Sequence, residues 1–239
     1  MASSITCKVT ATLRPFADPE RARKLPQFFQ AFPGGYGEGD RFLGVRVPDI
    51  RRVAGQFYGI TLGEIATLLT SPWHEVRLCA LVILVDTYRN APDKASCVAF
   101  YLGHLRHVNN WDLVDASAYH ILGDHLLEHP DPALLERLAQ SGNLWERRVA
   151  VVSTLAFIRA GRVKPTFELA ERLLADPHPL IHKAVGWMLR EAGKRDMPEL
   201  LAFLERYAPK MPRTMLRYAL EKLEKSVRER LMKRGRSEA

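Results

Sequence analysis

No run of about 18 or more apolar residues occurs in this 239-residue sequence, so it contains no candidate membrane-spanning helix. Its first stretch, MASSITCKVTATLRPF, lacks the unbroken apolar core of a secretory signal. Cysteine is scarce. Cys7, Cys79 and Cys97 are odd in number, far apart and in no CxxC pair. That argues against a disulfide framework or a cysteine-built metal site and points to a reducing, cytoplasmic setting, nucleoid-associated in a bacterium. Strand signals are also nearly missing, because strict apolar alternation is rare. The glycine-rich stretch GGYGEGD is not followed by GK[ST], which removes a phosphate-binding loop and leaves a flexible turn or a close-approach loop.

What is present is an ordinary apolar fraction, 47%, and 26% charged residues, as in a folded domain. The charge is unbalanced, at +8. Such an excess favours a polyanionic partner. Residues Leu201–Ala239 carry eleven Lys or Arg against five Glu, a net of +6. The last eight residues, MKRGRSEA (232–239), read as a short, disordered, solubilising tail. The rest of the excess is read as a nucleic-acid-binding surface, and nothing resembles a lipid anchor.

Helical period runs through the chain. Helices are expected at Pro19–Ala31, Val47–Tyr58, Leu62–Leu69, His74–Tyr88, Asp93–Gly103, Asn110–Leu127, Ala133–Gln140, Leu144–Ala160, Thr166–Leu174, Pro179–Ala192, Met197–Tyr207 and Arg213–Leu223. The breaks between them, among them FPGGYGEGD, NAPD, EHPDP, AGRVKP and ADPHP, combine Pro with Gly, Asn or Asp. Asp93, Asp131 and Asp176 stand there as caps or turn formers. Four segments, SPWHEVRLCALVIL, VNNWDLVDASAYHIL, NLWERRVAVVSTLA and DPHPLIHKAVGWML, share a turn leading into an Ala/Val/Leu-rich helix. Trp73, Trp111, Trp145 and Trp187 recur roughly every 35–40 residues, in the range of HEAT and armadillo repeats. The expected fold is therefore all-α, a single-domain HEAT-like helical-repeat solenoid over 1–239. Its concave groove would be lined by Arg and Lys and would suit a rod-shaped polyanion.

Within VNNWDLVDAS, Trp111 and Asp115 are four residues apart, which sets an indole and a carboxylate on one helix face. Taken alone, the segment also suits a packed Trp and a salt-bridged Asp. HLLEH, His125–His129, matches a zinc-protease pattern. However, His129 abuts Pro130 at a helix end, where histidines commonly complement the dipole. His178 and His182 are four apart, but DPHPLIH reads as a turn entering a helix. No metal and no cofactor is expected.

The order and spacing of several segments resemble the AlkD family of DNA alkylation repair glycosylases. They are FLGVRVPDIRRVA (Phe42–Ala54), NNWDLVD (Asn109–Asp115), LWERRVAVV (Leu144–Val152), HKAVGWMLREAGK (His182–Lys194) and MPRTMLRYALEKL (Met211–Leu223), together spanning about 180 residues. The resemblance implies a groove centre built from two tryptophans, an aspartate and an arginine. The matching positions are Trp111, Asp115, Arg148 and Trp187. Arg147 adjoins Arg148, and counting from Trp145 favours Arg148. Tyr36 is matched to an aromatic near the lesion, and Arg46, Arg51, Lys183 and Arg190 are candidate phosphate contacts.

What the resemblance implies chemically is removal of N3- or N7-alkylated purines from duplex DNA by a monomer. Alkylation there leaves the base cationic and its glycosidic bond weak, so little acid help is needed. A carboxylate can stabilise an oxocarbenium-like sugar and orient water. The indoles would offer negative π faces, worth roughly 0.5–2 kcal/mol each. Arg148 would hold Asp115 or bind a phosphate. With no lysine in the set, hydrolysis to an abasic site is expected, without Schiff-base strand cleavage. The rival reading is a non-catalytic nucleic-acid-binding scaffold of the same shape.

Overall fold

The side chains at the Pro-rich breaks start the helices by accepting backbone N–H groups that a helix leaves open. Asp18 accepts from Glu20 and Arg21, Asp93 from Ser96, Asp131 from Leu134 and Asn143 from Trp145. Asp176 instead organises a turn, accepting from the His178 amide. Thr61 and Glu64 form a reciprocal capping box. The computed structural model describes residues 4–234, and most of them are helical. Among the described residues the only β-type pairing is an isolated parallel bridge between Arg41 and Trp73. None of the described helices is long and apolar enough to cross a membrane.

The chain divides into two compact units, Met1–Ser117 and Ala118–Ala239. The first holds α1 (Ile5–Leu13), α2 (Pro19–Phe28), α3 (Val47–Gly55), α4 (Leu62–Leu69), α5 (His74–Asn90), α6 (Lys94–Gly103) and α7 (Trp111–Ala118), the last residue of α7 counting with the second unit. Every residue from His74 to Val85 is buried, which marks α5 as the core helix. Helices α3, α4 and α6 pack around it, and α1 closes on α3 and α4.

The second unit begins with a π-helical turn, Tyr119–Gly123. It continues with α8 (Asp124–Glu128), α9 (Pro132–Ala139), α10 (Leu144–Arg159), α11 (Lys164–Arg172), α12 (Pro179–Gly193), α13 (Met197–Tyr207), α14 (Arg213–Ala219) and α15 (Lys225–Arg234). Here α10 is the core, buried from Arg148 to Ile158. The π turn, α8, α9, α11 and α12 pack on it, and α14 lies against α12. Two glycines permit close approach. A Cβ on Gly123 would stand 2.3 Å from the Ser153 carbonyl oxygen, and one on Gly186 would stand 2.5 Å from that of Met215.

Most expected helices recur, two of them, Leu62–Leu69 and Met197–Tyr207, to the residue. The single helix expected over Asn110–Leu127 is instead α7, the π turn and α8, with the wider turn ending at Gly123 where the backbone meets α10. Helix α1 was not expected because β-branched residues blur its period. Ser4 caps it, and Val9 and Leu13 bury one stripe. Helix α15 takes in residues 232–234 of the expected tail; 235–239 lie outside the described residues. Trp73, Trp111 and Trp145 stand at helix starts, whereas Trp187 is midway along α12. The even spacing of the tryptophans therefore does not mark one repeated position.

Candidate functional site

Helix α7 carries the first half of the expected set. Leu113, Val114, Ser117 and Ala118 are buried, leaving Trp111 and Asp115 on a half-buried side one turn apart. The inner face is pinned at its far end. Ser117 Oγ donates to the Leu113 carbonyl at 2.7 Å, and the Tyr101 hydroxyl of α6 lies 3.0 Å from the same Oγ. Burial, joined by the nearby Asp115 charge, pushes the Tyr101 phenol well up. At the near end, Asn110 Oδ1 accepts from the Trp111 amide at 2.9 Å.

Behind Trp111 lies a buried ionic cluster. His74 Nδ1 meets Asp40 Oδ2 at 3.0 Å, and Nε2 meets Asp112 Oδ2 at 2.7 Å. Arg77 Nη2 lies 2.6 Å from Asp40 Oδ2 and donates to Asn109 Oδ1 at 3.1 Å. Burial works against charge on His74, but the Asp112 carboxylate and then Asp40 outweigh it, raising its pKa to about 9. Burial likewise opposes charge on Asp40, yet hydrogen bonding to His74 and the Arg77 charge hold its carboxyl below the usual range. The neighbouring Glu75 accepts the Leu43 and Gly44 amides and fastens that loop.

Aromatic rings complete this side. Phe29 stacks on Trp111 at 5.4 Å between centroids, and Phe28 meets the indole edge-on at 5.7 Å. Phe28 is 62% exposed, an unusual exposure for a large apolar ring. Tyr36, matched above to an aromatic near the lesion, is half-buried in the glycine-rich loop, whereas Phe28 was not among the expected site residues. The paired phenylalanines of "QFFQ", flanked by polar residues, were the available signal. Arg46 precedes α3 and Arg51 lies on it, both exposed.

The second unit carries the other half. Arg148 is 5% exposed and donates from Nη1 to the Leu180 carbonyl at 2.8 Å. Burial of that kind disfavours a phosphate contact. Arg147 is committed elsewhere, its Nε 2.7 Å from Asp176 Oδ2 and its Nη1 donating to the Ser141 carbonyl. On α12, Lys183, Trp187 and Arg190 follow at helical spacing on the less buried side. Lys183 is exposed, whereas Arg190 is ion-paired with Glu191 and Glu221, carboxylates that compete with a phosphate. Trp187 lines a shallow cavity with Leu155, Ile158, Arg159 and Arg195. Arg159 also lies over the Tyr119 ring, 4.7 Å from its centroid. Arg159 stands three helical turns beyond Arg148, a spacing that could have flagged it.

Among the described residues, no group of three or more His, Cys, Asp or Glu side chains is arranged to hold a metal ion. The rings of His125 and His129, from the protease-like motif, lie 4.7 Å apart.

Comparison with known proteins bears on what this surface serves. A family model described as DNA alkylation repair enzyme matches residues 9–223. A solved structure from Enterococcus faecalis, described as a predicted DNA alkylation repair enzyme, is similar with a TM-score of 0.69 and 19% identity, over 87% of this chain and 97% of that one. AlkD2 from Streptococcus mutans is similar with a TM-score of 0.51 and 15% identity, over 91% and 97%. At these identities the likenesses show the fold, the helical-repeat fold of AlkD-type proteins. No curated protein matches the chain.

Proposed function

Since this chain belongs to the DNA alkylation repair enzyme family, with a role in repairing alkylation damage, we propose that it is a monofunctional glycosylase. Its substrates are N3- or N7-alkylated purines in duplex DNA, and it acts as a monomer. The observation that carries this reading is the placement of Trp111 and Asp115 on one half-open side of α7, with Phe28 exposed beside the indole. A carboxylate there can stabilise positive charge growing on the sugar and orient the attacking water. The alkylated base leaves readily because it is already cationic. The flat, electron-rich ring of Trp111 supports the cationic nucleotide and keeps bulk water away.

In the second unit, Trp187 supplies a further ring to the nucleotide. Buried Arg148 belongs to the proposed set as an anchored positive charge, since its burial disfavours the phosphate role. Arg46, Arg51 and Lys183 contact phosphates, which position the duplex and make binding weaken with salt. No lysine belongs to the proposed set, so the product is an abasic site with the strand intact.

The test is release of free base from duplex DNA containing N7-methylguanine under single-turnover conditions. Asp115→Asn should lose roughly 100-fold or more in rate while still binding the duplex. Equal release by the two proteins would remove Asp115 from the chemistry. Salt-sensitive binding with no release by the wild type would favour a non-catalytic scaffold instead.

A further inference from the structure

We propose that His74 is a positioning residue for this reaction, clamping the first turn of α7 through Asp112 and so setting where Trp111 and Asp115 stand. The inference rests on the glycosylase reading above. Asp112 adjoins Trp111 in the first turn of α7. Its side chain is 15% exposed, and its Oδ2 accepts from His74 Nε2 at 2.7 Å.

His74 is itself fixed from several directions. Its ring is 3% exposed, Nδ1 donates to Asp40 Oδ2, and its backbone amide donates to the Arg41 carbonyl at 2.8 Å. The Phe29 and Phe42 rings cover it at 4.6 and 5.2 Å. Arg77 ties Asp40 to Asn109, so the turn leading into α7 joins the same cluster. The opposite end of α7 is anchored independently through Ser117 and Tyr101. Loss of the His74–Asp112 bond therefore removes one of the ties on the first turn of α7 while leaving its far end seated. With its pKa raised, His74 is an imidazolium at neutral pH and donates from both nitrogens, which orients the Asp112 carboxylate.

The experiment compares wild type, His74→Gln, Asp112→Ala and the double variant. Rates of base release from N7-methylguanine duplex are read beside duplex affinity and the ¹⁹F spectrum of 5-fluorotryptophan-labelled protein. Each variant should lose about tenfold or more in single-turnover rate, up to the roughly 100-fold that a 1 Å misplacement can cost, with affinity within about threefold. The double variant should fall no further than either single one, since both break the same bond. The Trp111 resonance, assigned by its loss in Trp111→Phe, should shift or broaden while those of Trp145 and Trp187 stay in place.

A His74→Gln rate within about threefold of wild type, or losses that multiply in the double variant, would overturn the inference. If His74→Gln does not fold, Asp112→Ala carries the same test. If the wild type releases no base, the glycosylase reading fails on its own account. The Trp111 resonance then decides the positioning claim, and an unmoved resonance sinks it.

Discussion

Raising the pH should weaken the first unit by titrating a single buried histidine. Folding raises the His74 pKa from 6.5 to about 9, chiefly because the Asp112 and Asp40 carboxylates overcome the penalty of burial. The folded chain thus holds this proton more tightly than the unfolded chain does. The resulting stabilisation is fully present below pH 6.5 and is lost as pH climbs through about 9. A shift of this size corresponds to roughly 3 kcal/mol, most of it still in place at pH 7. The lowered Asp40 reflects the same interaction and is not counted again. The Cys79 and Cys97 thiols, raised by burial, also cost stability in this window, but they do so equally in wild type and His74→Gln and cancel in the comparison. Cys79 is pushed up to about 12 by burial, Tyr101 is raised as well, and His107 and His178 are shifted downward, chiefly by burial. Urea unfolding at pH 7 and pH 9.5, at fixed ionic strength, should show the wild type losing roughly 2–3 kcal/mol more than His74→Gln. A parallel fall in the two proteins would refute the reasoning, because the variant has no proton to lose there.

Five further outcomes follow from the structure. Arg147→Ala should cost about 3 kcal/mol in unfolding experiments, since it strands a buried Asp176 carboxylate. Gly186→Val should cost about 1–3 kcal/mol and lower the melting temperature, because a Cβ there meets the α14 backbone. Phe28→Ala should leave stability within about 1 kcal/mol yet slow base release or weaken duplex binding, its ring being 62% exposed beside Trp111. Lys183→Ala should reduce the log–log salt slope of duplex binding by about 1. Arg190→Ala should leave that slope nearly unchanged, because its guanidinium already answers Glu191 and Glu221.

Local chemistry made the helices legible. A cap such as Asp93 or Asp131 acts within three residues of its own position, and the long apolar stretches of α5 and α10 declare burial without reference to any partner. The i, i+4 pairing of Trp111 and Asp115 is equally local, because helix geometry alone puts them on one side. The weak period of α1 and α15 hid those helices, since few residues in either are buried. The site's surroundings are a different matter. Phe28 reaches Trp111 across more than eighty positions, and His74 gathers Asp40 and Asp112 from 34 and 38 residues away on either side. No periodicity encodes such meetings, for they depend on how α2, α5 and α7 pack. In the same way, only the packing shows that Arg147 pairs with Asp176 while Arg148 is enclosed in the core. Residue type and spacing marked the helices and the resemblance to a family, whereas burial and long-range partners determined which side chains are held and which are spent on structure.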